Sequence, residues 1–160
     1  MHRYEKMRLA AIRRDAATLG IKGQDRYFRS IALLDAARKK RCMAVIRKGR
    51  IPIYAGDYIY AYYPSTGKVI WMVHDINTKI GENALVSKQN GRSFTLLNEK
   101  GEQVSAARII FAAVHGEIPE EHDVYCVNGD NSDLSILNLR SHYDNGKSKM
   151  REWNKTMREM

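Results

Sequence analysis

The spacing of apolar residues changes period near residues 50–57, and that change limits what this chain can fold into. Before it, apolar positions recur at three- and four-residue intervals, the mark of helices with one buried face. After it, apolar and polar residues alternate in short runs, as half-buried strands require. Pro52 and Gly56 sit at the change and predict the end of a helix there. Residues 1–50 therefore read as a helical arm, 51–105 as a small antiparallel β region, and the chain as α+β.

Within the arm, residues 4–18 place Met7, Leu9, Ala10, Ile12 and Ala16 at helical spacing, with Arg8, Arg13 and Arg14 among them. Gly20 and Gly23 bracket a turn, TLGIKGQ, and a longer helix is expected from about Asp25 to Lys48. Two helices around a glycine turn also fit a helix-turn-helix. This turn is longer than that motif uses, so a hairpin lying along a nucleic-acid backbone, or packed on the domain behind it, is preferred.

Beyond the boundary, Tyr58, Tyr60 and Tyr62, then Val69, Trp71 and Val73, flank Pro64-Ser65-Thr66-Gly67, a hairpin with a four-residue turn. His74 closes that strand in a structural rather than a ligating role. Strands are expected at 84–88 and 93–97 around Gln89-Asn90-Gly91-Arg92. A further turn at 98–101 leads into Gln103-Val104-Ser105, and AARIIFAAVH, residues 106–115, reads as a buried helix. A loop at Asp144-Asn145-Gly146 precedes a basic C-terminal helix over 147–160, whose Trp153 is expected to pack on the domain.

Charge is divided as sharply as periodicity. The formal net charge is +9, but residues 1–50 hold 15 Lys/Arg against 4 Asp/Glu, and the remainder is slightly acidic. A basic arm beside a near-neutral domain points to a polyanion, through phosphate contacts and counterion release. The expected contacts are Arg13, Arg14, Arg38, Lys39, Lys40, Arg41, Lys48 and Arg50, with Arg108 and Lys147 beyond the arm. The plainer alternative is a solvated helix face on a basic protein. A hydrophobic share of 44% suffices for a core, and no apolar run approaches the ~18 residues of a membrane span. The N-terminal MHRYEKMRLAAIRR lacks the apolar stretch of a secretory signal, and Cys42 and Cys126 form neither a metal cluster nor a disulfide framework. A cytoplasmic location is the expectation.

One stretch carries more specific information. Residues 116–140 read GEIPEEHDVYCVNGDNSDLSILNLR, in which Gly116, Ile118, Pro119, Glu120, Gly129, Asp130, Asn138, Leu139 and Arg140 fall in a pattern. This resembles the core of the phage-type HNH homing-endonuclease family. The opening Y-x-P-x-T-G-x-x-x-W at residues 62–71 is also common there, so the resemblance spans roughly residues 58–145. It implies a ββα-metal unit over residues 106–146, double-stranded DNA as partner, and an origin in a phage or mobile element.

The family cleaves DNA with one divalent ion held by a carboxylate and an amide, while an adjacent histidine deprotonates water. The resemblance maps the carboxylate onto Tyr125 and the base onto Cys126. An upstream histidine maps onto Ala107 and the downstream amide onto Lys147, with Asn145 two residues away. A neutral phenol of pKa ~10 is a poor ligand for a hard cation. A thiol of pKa ~8.5 is soft and seldom a base for water. Alanine offers nothing, and an ammonium repels the ion.

The expectation is therefore a DNA-binding protein that keeps the HNH frame, with Gly129 and Asn138 structural, Cys126 a small buried residue and no metal. Against it stand two alternatives. An active Mg²⁺- or Mn²⁺-dependent nickase would need a rewired site using His122, Asp123 or Asp130; the plainer reading solvates Asp123 and gives Asp130 to the turn after Gly129, with Ser132 or Asp133 capping the next helix. An interaction protein would use the basic helices to grip RNA or an acidic host factor.

Overall fold

A computed structural model describes residues 3–73, 80–88, 93–116 and 123–141. Expectations at His74, the Gln89–Arg92 turn, residues 117–122, Asn145 and Lys147, Trp153 and the C-terminal helix lie outside these residues. Among these residues the architecture is mixed α and β: three α-helices and small antiparallel sheets.

Helices α1 (Arg3–Ala17) and α2 (Ile21–Arg47) form a hairpin. Ile12 and Ala16, one turn apart, meet Tyr27 and Ile31 of α2 in a small core that Leu19 closes. The connection is three residues, shorter than the sequence suggests, because Gly23 lies inside α2. The first four amides of a helix have no intrahelical partner, so a glycine in the first turn forfeits little. The turn is tied by Thr18 Oγ1 donating to Asp15 O at 2.8 Å and Gln24 Nε2 donating to Leu19 O at 3.0 Å. Arg8 donates to both carboxylate oxygens of Asp35, at 2.6 and 2.8 Å, and Arg140 reaches the same carboxylate at 3.7 Å.

Residues 51–55, at the boundary that Pro52 and Gly56 mark, already belong to the β region. Ile51–Ala55 is strand β1, with Ile51, Ile53 and Ala55 buried and Pro52 and Tyr54 exposed. It pairs antiparallel with β2 (Tyr58–Tyr63), which pairs with β3 (Lys68–Val73). Among the described residues β1 is an edge strand, where Pro52 is tolerated because an absent amide donor need not break a ladder. The turn to β2 needs Gly56 at φ 61°, and a Cβ there would stand 2.9 Å from Glu99 O.

The β region divides into two sheets rather than one. β4 (Val86–Lys88), β5 (Ser93–Leu97) and β6 (Gln103–Ser105) form the second. Tyr60 joins the two: its hydroxyl donates to Leu97 O and accepts from Leu97 N, both at 3.0 Å. Helix α3 (Ala106–His115) starts from Ser105, whose hydroxyl accepts from Arg108 N. Strands β7 (Val124–Cys126) and β8 (Leu139–Ser141) form a third, two-stranded sheet, preceded at β8 by a 3₁₀ turn over Ile136–Asn138.

The main core gathers Tyr60, Tyr62 and Trp71 from the first sheet, Leu96 from the second, Ile110 and Phe111 from α3, and Ile136 and Leu139 from the third unit. It also takes in Cys42, with Val45 and Ile46 packed against it. The second half of α2 is thus part of the body rather than a separate arm. Burying a large aliphatic or aromatic side chain contributes about 1.5–3 kcal/mol, so this cluster dominates the fold.

Candidate nucleic-acid interface and the β7–β8 loop

The loop between β7 and β8 is folded by its own polar side chains. Gly129 turns the chain at φ 77°. Asn128 Oδ1 accepts from Asp130 N at 2.9 Å, and Asp130 Oδ1 accepts from Ser132 N at 3.0 Å and from the Ser132 hydroxyl. Asp133 Oδ1 likewise accepts from Ser135 N and Oγ, at 3.2 and 2.6 Å. These are Asx turns, in which a short side chain imitates the next backbone carbonyl. Asp133 therefore does not cap the 3₁₀ turn; Ser135 is the residue before it, and its side chain makes no capping bond.

Asn138 is the clamp. Its Oδ1 accepts from Asn128 N at 3.1 Å, and its Nδ2 donates to Asn128 Oδ1 at 3.0 Å and to Asp133 O at 2.8 Å. A buried amide that meets donors and acceptors on both sides of a loop fixes one loop conformation. The β2–β3 turn then seats against this loop. Ile136 N donates to Pro64 O at 2.9 Å, the Tyr62 hydroxyl donates to Leu134 O, and a Cβ at Gly67 would stand 2.7 Å from the Leu134 carbonyl carbon.

Ala107, Tyr125 and Cys126, distant in sequence, line one cavity of about 190 Å³ together with Ser93, Ser105 and Asn131. Among the described residues its lining holds no carboxylate and no imidazole. Cys126 is 3% exposed and its thiol donates to Asp133 O at 3.7 Å. Burial first, then the Asp133 and Asp130 carboxylates, push the thiol up to about 11, so it stays protonated at neutral pH. A thiol in that state is neither a base nor a nucleophile.

The candidate replacements stand elsewhere. Asp123 is exposed just before β7, and Asp130 is in the loop, its carboxyl held below the usual range by the two Ser132 hydrogen bonds. His122 lies outside the described residues. Among the described residues no group of three His, Cys, Asp or Glu side chains could hold a metal. The methyl of Ala107, the phenol of Tyr125 and the protonated thiol of Cys126 do not fit a hard divalent cation.

The cations fall into two groups. Arg13 and Arg14 on α1, Lys39, Lys40 and Arg41 on α2, and Lys48 and Arg50 after it are all exposed. Arg38 differs: it is 6% exposed, because it falls on the buried stripe of α2 with Tyr27, Ile31 and Cys42. A guanidinium in that position is not a surface contact for phosphate, which corrects its place in the expected set. Arg108 is half-buried on α3.

Periodicity gives no sign of the contact between α2 and α3. Arg41 Nε donates to His115 Nδ1 at 3.0 Å, and His115 Nε2 lies 3.5 Å from Cys42 Sγ. Burial first, then Arg41 and Arg38, lower the His115 imidazole to about 4. With Nδ1 accepting from Arg41, the neutral ring carries its proton on Nε2, toward the sulfur.

Among the described residues no helix is long and apolar enough to cross a membrane. Comparison of the chain with models of known protein families, with curated proteins and with solved structures finds no match in any of the three.

Proposed function

We propose that this protein binds DNA, on a frame like that of the phage HNH endonucleases but without their ligand and base. One observation carries the reading: residues 36–50 hold seven Lys/Arg and no carboxylate, and all but Arg38 of those cations are exposed. Such a strip neutralises several phosphates at once, and the released counterions drive association. Arg13 and Arg14 extend the same charge onto α1. Phosphate contacts of this kind set affinity and register; they do not read bases. Two buried cysteines, neither in a disulfide, suit a reducing cytoplasm, where such a partner is found.

The test is duplex binding by fluorescence anisotropy between about 50 and 200 mM salt. With six exposed cations engaged, affinity is expected to fall by about 10³. Replacing Lys39 and Lys40 by alanine should reduce the salt slope by about 2. An affinity indifferent to salt would overturn the reading. A plasmid-nicking assay with Mg²⁺ or Mn²⁺ belongs beside it: nicking that Asp123→Ala abolishes would replace a binding protein with an enzyme.

A further inference from the structure

Pro52 and Tyr54 of β1 point away from the main core, and the register places them beside Ala61 and Ile59 of β2. On that outer face lies a cavity of about 330 Å³, lined by Arg50, Pro52, Tyr54, Ile59, Ala61 and Met72 among others. Among the described residues its lining contains a guanidinium, an aromatic ring and aliphatic carbon, and no carboxylate. Tyr54 is 72% exposed, so its ring borders the cavity while remaining open to solvent. Arg50 is exposed, and so is Lys48 two residues before it.

An apolar floor, an open aromatic ring and a cation at one corner match a nucleotide with its base unstacked. The base has a flat apolar face for the ring, and the phosphate has charge for the guanidinium. Bases inside a duplex have both faces covered and cannot use such a site. Addition of a peptide strand along β1 is disfavoured, since a proline on an edge strand blunts pairing. We infer that the outer face of the first sheet is a single-stranded nucleic-acid subsite, where an unpaired base stacks on Tyr54 and Arg50 holds an adjacent phosphate. The inference deepens the DNA-binding reading and rests on it.

The experiment measures anisotropy of a labelled oligothymidylate and of a duplex of equal length, for the wild-type chain and for Tyr54→Ala, Tyr54→Phe and Arg50→Ala. Tyr54→Ala is expected to weaken single-strand binding about tenfold and to leave duplex binding within about twofold. Tyr54→Phe, which keeps the ring, should bind as wild type. Arg50→Ala should lower the single-strand salt slope by about 0.7. Unchanged single-strand affinity in Tyr54→Ala overturns the subsite, as does an equal loss on both ligands. If duplex binding is salt-dependent while Tyr54→Ala has no effect, only the subsite falls. If neither ligand binds at low salt, the DNA-binding reading falls with it. Displacement of the oligonucleotide by an acidic, tyrosine-containing peptide at equal concentration would assign the cavity to a protein partner instead.

Discussion

Between α1 and the first half of α2, the buried set among the described residues is Ile12, Ala16, Tyr27 and Ile31, and an ion pair, Arg8 with Asp35, spans the helices. The body buries side chains from all three sheets, from α3 and from the second half of α2, and ties them with Tyr60, Tyr62 and Asn138. The hairpin thus depends on few contacts, each mattering locally, whereas the body distributes its stabilisation widely. Small cores open first, since local unfolding follows the buried apolar contacts that resist it. α2 belongs to both regions, so the exposed cations of residues 39–50 stand on the part anchored in the body.

Matched truncations break or sharpen that contrast, and they carry the largest expected effect. Ile110→Ala empties a fully buried site in α3 and should cost about 3 kcal/mol of global stability, read by denaturant unfolding. Ile31→Ala makes the same change in the hairpin. Its cost, about 2 kcal/mol, should appear as faster amide exchange in residues 3–31 with protection of residues 51–73 retained. If Ile31→Ala lowers protection everywhere alike, the two regions are one cooperative unit and the contrast is wrong.

Acid should act on the body. His115 titrates at about 4 when folded, against 6.5 when unfolded, so folding favours the neutral ring. Stability is therefore full above pH 6.5, falls as pH drops through that window, and has lost the whole contribution below about 4. Discounted for the solvent access the ring retains, the loss is about 2 kcal/mol. Denaturant midpoints for wild type and His115→Gln should converge as pH falls from 7 to 4. Parallel curves would remove His115 from the interface account.

The smallest effect belongs to the ion pair. Asp35→Asn keeps shape but removes the charge that Arg8 and Arg140 share, and should cost about 1 kcal/mol, lost in high salt. A loss indifferent to salt would mean that packing, not charge, holds α1 on α2.

Local signals make much of this fold legible. The hairpin around Pro64–Gly67, the strands at 93–97 and 103–105, and α3 at 106–115 stand where periodicity and turn chemistry put them. β1 is hidden because Pro52 and Gly56 read as breakers, although Ile51, Ile53 and Ala55 alternate around them. An edge position admits proline, and edges are decided by tertiary pairing. The division into two sheets is hidden for the same reason, since a period of two says nothing of which strands pair. At the candidate site, the positions of Ala107, Tyr125 and Cys126 follow from resemblance, and their meeting at one cavity follows from the fold. The burial of Arg38 and the bond from Arg41 to His115 depend on how α3 lies against α2, which no local pattern encodes.

The seat of the β2–β3 turn has a consequence for synthesis. Tyr62 and its acceptor at Leu134 are 72 residues apart, and the turn rests on backbone that the ribosome has yet to make when the hairpin is complete. At about 5–20 residues per second, the wait is roughly 4 to 14 s. Throughout it, Tyr60, Tyr62 and Trp71 lack the later half of their core, a sheet face of aromatic carbon turned to water. The nascent chain is therefore at its most adhesive during that wait, and faster elongation or a chaperone acting on that interval should raise the yield of soluble protein.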